Sequence, residues 1–354
     1  MKTILHVVGN RPQFIKLAVL YKEIAESKTF DQKIIHTGQH WTSEMSGVFF
    51  SELQIPAVDL QLDGKTNGYP DLFIAQISVQ LQDYFSSQKD CLVFVYGDTN
   101  TTLAATMAAM RTNVQCFHFE AGIRTGDNSM PEEINRVLTD RMAFTNYCCT
   151  TENYQTMLAE GYGSAINNRV VLSGDLMYDA FLQHAGTVDE PAGKPFVLTT
   201  IHRALNILLP SNLNQIIDAL NKIHKQVPVI MPAHPHTQKR ISEYGLTAEF
   251  NFREPVGYRE MQKLLTSCSY VITDSGGLAR EAFFSKKRSL VIMEKPFWPE
   301  IVAASGSINC APDKLSILDA FEKLPLLQPD FSKPIFGNGT AAKIIQQDLM
   351  QFYN

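Results

Sequence analysis

The chain has 354 residues, 45% of them hydrophobic and 19% charged, with a formal net charge of -5. That length accommodates two ordinary domains, each with its own core, while the mildly negative charge offers nothing to nucleic acid or an anionic membrane surface. No apolar run reaches the ~18 residues of a membrane span. "MKTILHVVGNRPQFIK" runs into Gly-Asn-Arg-Pro with no small-residue cleavage site, so it reads as a first buried strand and not as a signal peptide.

Along the first half, short β-branched runs recur: "ILHVVG", "KIIHTG", "LVFVYG", "VQCFHFEAG", "YCCTT" and "VVLSG". Segments of helical spacing lie between them, among them "FIKLAVLYKEIAES" and "PEEINRVLTDRMA". Strands buried on both faces and alternating with helices predict a parallel, doubly wound sheet. After "TVDEPAGKP" the pattern restarts with "FVLTTI", "VPVIMPAH", "FREPV", "YVITDSGG" and "RSLVIM", and "NGTAAKIIQQDLMQFYN" reads as a closing helix. The expectation is α/β, with two Rossmann-like domains facing across a cleft that holds the ligand. Their expected bounds are 1–175, joined by the helix 339–354, and 176–338. Cys91, Cys116, Cys148, Cys149, Cys268 and Cys310 form no Cys-x-x-Cys pair and no zinc-like spacing with histidine, which suits a reducing cytoplasm.

Three acids fall at strand or helix ends in the first half: Asp98 in "YGDTN", Glu120 in "HFEAG" and Glu132 in "MPEEINR". Asp98 has a plain alternative as a helix cap. Glu132 completes a Ser129-x-x-Glu132 capping box beside Pro131 and stands four residues before Arg136, so its structural reading is the stronger one. Glu120 ends a buried strand, where an unpaired carboxylate is costly, and packing alone gives no reason for it. Cations take the same address: Arg11 and Lys16 after the first strand, His202 and Arg203 in "TIHRA", His234 and His236 in "AHPHT". In "YVITDSGGLAREAFF", Ser275, Gly276 and Gly277 open a helix whose amides suit a phosphate, and Glu281 lies one turn inside, within range of a ribose hydroxyl. Gly-x-Gly-x-x-Gly and a Walker-type Gly-Lys-Ser/Thr are both missing, which disfavours NAD and ATP. Acids facing histidines, arginine and an amide nest make an acid/base site around a phosphorylated ligand.

These motifs together resemble the non-hydrolysing UDP-N-acetylglucosamine 2-epimerases across essentially the whole chain. "GNRPQFIK", "HTGQH", "GDTNTT", "HFEAGIRTG", "PEEINR", "SGDLMYDA", "TIHRA", "AHPHT", "EPVGY" and "TDSGG…EA" occur in the family's order. The resemblance implies a glycosyltransferase-B-like fold and a reaction in which UDP is eliminated by removal of the C2 proton, then added back with inversion, without metal or redox cofactor. It implies that Asp98, Glu120 and Glu132 serve proton transfer and hold the intermediate, with His202 by the departing phosphate. Arg11, Ser275, Gly276 and Gly277 match diphosphate contacts, Glu281 the ribose carboxylate, and Met261 the residue against uracil. Lys16, Arg136, Arg203 and His234 complete the expected substrate contacts, and 126–130 is a candidate lid. Gln39 and His40 match an allosteric UDP-N-acetylglucosamine site, and family members are commonly homodimers.

The chain also departs from the pattern. Leu205 replaces an acid after His202-Arg203, Ala279 a glutamine, Trp298 an arginine, and Thr42 a glutamine. Several choices, Trp298 near Glu300 among them, look more like the branch that epimerises UDP-2,3-diacetamido-2,3-dideoxy-glucuronic acid. A retaining glycosyltransferase, a hydrolysing epimerase and a UDP-sugar-binding protein without catalysis are the rival readings.

Overall fold

The computed structural model describes residues 1–39, 47–66, 68–185, 194–233 and 235–353. It divides into two compact units, Met1–Gln183 with Pro334–Asn354, and His184–Lys333.

In the first unit the apolar runs become β1 (Thr3–Val8), β2 (Asp31–His36), β3 (Leu60–Gln61), β4 (Cys91–Tyr96), β5 (Gln115–Ala121), β6 (Thr145–Cys148) and β7 (Arg169–Leu172). They form one parallel sheet in the order β3-β2-β1-β4-β5-β6-β7. All six residues of β4 are buried, as a strand covered by helices on both faces requires. The helix Arg11–Ser27 begins where Asn10 accepts from the Gln13 N–H and Pro12 sets φ, and it ends at Lys28 in the left-handed region, φ 54°. The helix Asn100–Arg111 is capped by Thr99, which accepts from the Thr102 N–H.

The second unit contains β8 (Val197–Thr200), β9 (Val229–Pro232), β10 (Asn251–Arg253), β11 (Tyr270–Thr273), β12 (Arg288–Ile292) and β13 (Ser307–Cys310), parallel in the order β10-β9-β8-β11-β12-β13. Its main core packs Leu213, Ile217, Leu220, Met231, Ile272 and Leu290. β3 and β13 were not among the expected strands: the first is two residues long, and the second carries partly exposed Ile308 and Asn309 at a sheet edge.

The units part at 183/184 and 333/334, both away from the expected 175/176 and 338/339. The Asp175 N–H donates to the Phe336 carbonyl at 3.0 Å, which holds the segment before the closing helix, and Asp179, on the helix Leu176–Ala185, accepts through its carboxylate from the Ala341 and Ala342 N–H groups at 3.1 and 2.8 Å. That bond ties the closing helix Ala341–Tyr353 to the first unit, where Asp348 also pairs with Arg169 at 2.6 Å. Strand order reverses between β1 and β4 in one sheet and between β8 and β11 in the other. An open α/β sheet offers a ligand crevice at such a point, beyond the carboxyl ends of the strands.

Candidate active site

In the first unit the switch point carries the loops after β1 and β4. Gly9 has no alternative there: a Cβ would stand 2.3 and 2.4 Å from the hydroxyls of Thr37 and Thr101. Gln13 is fully buried and stitches the loops together, accepting from the Gly9 N–H at 2.7 Å and donating to the Tyr96 carbonyl and the Thr99 hydroxyl, both at 2.9 Å. Asp98 follows β4 through Gly97, at φ 68°, and its carboxylate pairs with the buried Arg136. Arg136 also donates to Glu133 at 2.6 Å, and Glu133 accepts from the Thr125 and Gly126 N–H groups at 3.0 Å. The Asp98 backbone is fixed as well, its carbonyl accepting from Asn135 at 3.0 Å.

Glu120 stands one strand away, at the end of β5. Its φ is 77°, and the β5–β6 register slips between Phe119 and Ala121. A bulge at a non-glycine residue in the left-handed region re-aims the side chain at a cost of about 1–3 kcal/mol, and it persists only where the surroundings enforce it. Here the carboxylate meets the ammonium of Lys16, and the two side chains are 10% and 4% exposed. The bulge is braced from behind by His118 and Asp140, both fully buried. His118 reaches the helix Pro131–Met142, whereas the bulge turns Glu120 toward Lys16 of the helix Arg11–Ser27. Its Nδ1 meets an Asp140 oxygen at 2.7 Å and its Nε2 meets the Gly97 carbonyl oxygen at 2.8 Å, so both ring nitrogens face acceptors. Asp140 also accepts from Arg124 at 2.7 Å and from the Gly122 N–H at 3.1 Å. Burial alone would raise this carboxyl, but the His118 hydrogen bond and the His118 and Arg124 charges outweigh it and hold the group below the usual carboxylate range.

Glu132 opens the helix Pro131–Met142 from an exposed position. The expected capping box does not form. Met130 occupies the N-cap position and no side chain caps the helix; Ser129 instead donates its N–H and hydroxyl to Asp127. The next residue, Glu133, takes the buried place and the pairing with Arg136, because it is the acid whose side chain turns inward.

In the second unit the switch point belongs to Asp274. This fully buried carboxylate accepts from the His202 N–H (3.0 Å), the Arg203 N–H (2.9 Å) and the Asn206 amide (3.0 Å), while Arg203 Nε donates to its carbonyl at 2.7 Å. The His202 ring, 53% exposed, lies with Nδ1 3.2 Å from the same carboxylate. Burial would raise the Asp274 carboxyl; the bonds from His202, Arg203 and Asn206 prevail and lower it. Ser275 caps the helix Gly276–Phe284 by accepting from the Leu278 N–H. Gly276 packs under Phe297, where a Cβ would come within 2.8 Å of the ring. Trp298, at the position of an expected arginine, donates its indole N–H to the Gly276 carbonyl at 2.9 Å and lies under the guanidinium of buried Arg280, 5.0 Å from the ring centre. Glu281 is buried in the same helix.

Other expected contacts fall elsewhere. Met261 is buried in the apolar cluster of Leu198, Leu264, Leu265, Val271 and Leu278, so its thioether serves the core rather than a uracil face. Arg11 heads its helix with the guanidinium 4.7 Å from the centre of the Phe49 ring. Gln39 accepts from the Thr101 N–H and hydroxyl, at 3.2 and 2.7 Å, which ties the end of β2 to the helix after β4. His236 is exposed in the helix Pro235–Glu243, and His40 and His234 lie outside the described residues. Gln13, His118, Glu133, Asp140, Asn206 and Asp274 were missed as site-building residues.

The chain's relatives fit this geometry. A family model described as UDP-N-acetylglucosamine 2-epimerase matches residues 22–350. The UDP-2,3-diacetamido-2,3-dideoxy-D-glucuronate 2-epimerase of Pseudomonas aeruginosa is 40% identical over 312 residues, which is 86% of this chain and 87% of that protein. A UDP-N-acetylglucosamine 2-epimerase of Methanococcus maripaludis is 30% identical over 358 residues, 96% of each. The solved structure of the Methanocaldococcus jannaschii UDP-GlcNAc 2-epimerase in complex with UDP-GlcNAc and UDP superposes with a TM-score of 0.89 at 30% identity, over 99% of this chain and 100% of that one. Two parallel α/β units of the glycosyltransferase-B-like class, with a match running nearly end to end, leave one assignment: the chain belongs to the UDP-N-acetylglucosamine 2-epimerase family and is an isomerase of UDP-sugars.

Proposed function

We propose that the protein interconverts UDP-N-acetylglucosamine and UDP-N-acetylmannosamine without hydrolysis. UDP leaves by anti-elimination to a 2-acetamidoglucal, then adds back as the C2 proton returns to the opposite face. The single observation that carries this reading is the pair of carboxylates at the ends of the neighbouring strands β4 and β5, each backed by a buried cation: Asp98 by Arg136 and Glu120 by Lys16. A carboxylate so held has a fixed position for moving a proton. Asp98, Glu120 and Glu132 are assigned to the proton transfers and to holding the glucal. In the second unit, the amides opening the helix Gly276–Phe284 suit the diphosphate, with Ser275 and Gly277 at its start and Arg203 and His234 as further contacts; in the first unit, Arg11 is assigned to phosphate as well. His202, its backbone anchored by Asp274 and its ring half in solvent, is assigned to the departing phosphate. Glu281 is assigned to the ribose, and 126–130 to a lid. Turnover in deuterium oxide tests this: deuterium should appear at C2 of both recovered substrate and product. Recovery of unlabelled sugar, or accumulation of UDP, overturns it.

A second substrate is favoured by one comparison. The Pseudomonas diacetamido-glucuronate epimerase is 40% identical, against 30% for the methanococcal UDP-N-acetylglucosamine enzyme. Running the exchange with both sugars side by side decides between them.

We further infer a homodimer in the cytoplasm that supplies precursors for cell-surface polysaccharide. The helices Pro70–Ser87, Asn100–Arg111 and Pro131–Met142 pack side by side, and they expose Leu72, Val79, Met110, Ile134 and Leu138. An apolar face of this kind suits a partner copy. Among the described residues no helix is long and apolar enough to cross a membrane.

A further inference from the structure

A second acid stands behind Glu120. Asp175, fully buried at the entry to the helix Leu176–Ala185, accepts from the Met177 N–H through Oδ1 at 2.8 Å. Carboxylate oxygens of Glu120 and Asp175 and the sulfur of Cys149 all lie within 4.8 Å of one another. The void they share is about 10 Å³, enough for about one water. Two carboxylates at that separation, in a nearly dry site, repel, and the charge of each makes the other harder to ionise.

The groups facing Glu120 come from every packed element. The helix Arg11–Ser27 gives the ammonium of Lys16, the end of β6 the Cys149 thiol, and the loop after β7 the Ser173 hydroxyl and Asp175. The closing helix Ala341–Tyr353 gives the alkyl side chain of Ile345. Asp179, one turn beyond Asp175, feels the Asp175 charge and extends the negative field.

We infer that Asp175 is a positioning residue that acts through Glu120, its negative charge raising the proton affinity of Glu120 so that the acid can both take and return the C2 proton. This rests on the reading of Glu120 as a proton-transfer acid. It adds a residue that never touches the sugar.

The test is the pH dependence of C2 hydrogen–deuterium exchange by the wild type and Asp175→Asn, with UDP-N-acetylglucosamine and its diacetamido uronate analogue. Circular dichroism checks the fold of each. Asp175→Asn should move the acid limb of kcat/KM down by about one pH unit or more. Cys149→Ala, which removes no charge, should leave the limb in place. An unmoved limb in a folded Asp175→Asn variant overturns the inference. If that variant does not fold, ¹³C titration of the wild-type Glu120 carboxyl decides: a midpoint above the ordinary carboxylate range supports the inference, and one within or below it overturns it. The same titration keeps the two readings separate. A wild type with no exchange on either sugar rejects the epimerase reading, whereas the Glu120 midpoint still reports on Asp175.

Discussion

Replacing Asp274 by asparagine tests how the second unit builds its ligand loop. The substitution keeps the shape and one acceptor, but it turns an amide NH₂ toward groups that are themselves donors. Asp274 Oδ2 receives the Arg203 N–H at 2.9 Å and the Asn206 amide at 3.0 Å, and both oxygens lie 3.0–3.1 Å from the His202 N–H. With the amide oxygen at the Oδ2 place the three donors keep an acceptor, but each bond loses its charge assistance, about 0.5–1.5 kcal/mol each, giving a loss of roughly 2–5 kcal/mol. For a unit of this size that is a fall of roughly 4–20 °C in unfolding midpoint, readable by calorimetry. UDP binding measured on the same samples should weaken, because the His202–Arg203 backbone would be released. The carboxyl is lowered in the folded state from an ordinary 3.8, so its contribution is present above about pH 4 and is lost as pH falls through the folded value. The variant should therefore lose most stability at neutral pH and differ least from wild type in strong acid. A midpoint within about 2 °C of wild type at pH 7, with UDP affinity intact, would refute the view that this carboxylate organises the loop.

Three further substitutions probe the first unit. Burial pushes the Asp179 carboxyl up to about 6, so the fold loses stability as pH rises through 6; Asp179→Asn should remove that slope in unfolding midpoints measured from pH 4 to 8. Gly122 has φ 81°, and a Cβ there would lie 2.5 Å from the Asn153 carbonyl oxygen. Gly122→Ala should thus cost about 2–4 kcal/mol by denaturant unfolding and reduce C2 exchange by disturbing the Glu120 turn. Leu138→Arg, on the exposed apolar face, should leave the unfolding midpoint nearly unchanged and convert a dimer to a monomer in light scattering.

The sheets were legible because strands such as Leu92–Tyr96 are apolar on both faces, a pattern that parallel burial alone demands. β3 escaped because two residues carry no period, and the division between units shifted because it depends on Asp175 reaching Phe336 and Asp179 reaching Ala341 across the sequence. At the site, Asp98 and Glu120 were legible from their place at strand ends, since a charge there needs a partner. The partners themselves were less so. Glu133 and Glu132 differ by one position, which on a helix is a rotation of about 100°, and sequence motif chose the exposed acid while packing gave Arg136 to the buried one. Met261 has helical spacing consistent with either a ligand face or a core, and only the surrounding Leu198, Leu265 and Val271 separate the two.

The two switch points place an aspartate at the same address, and burial separates their chemistries. Asp98 leaves 23% of its side chain open and is held from one side by Arg136, so an edge of the carboxylate remains available to a ligand. Asp274 is wholly enclosed, and its oxygens are spent on the backbone of His202 and Arg203 and on Asn206. A carboxylate saturated by backbone donors is lowered too far and shielded too well to carry a proton, whereas one facing a single arginine keeps its position and its access. On the proposed reading, the same residue type at the same topological point is a reagent in one unit and a scaffold in the other. The feature that distinguishes them is the number of donors each carboxylate already serves.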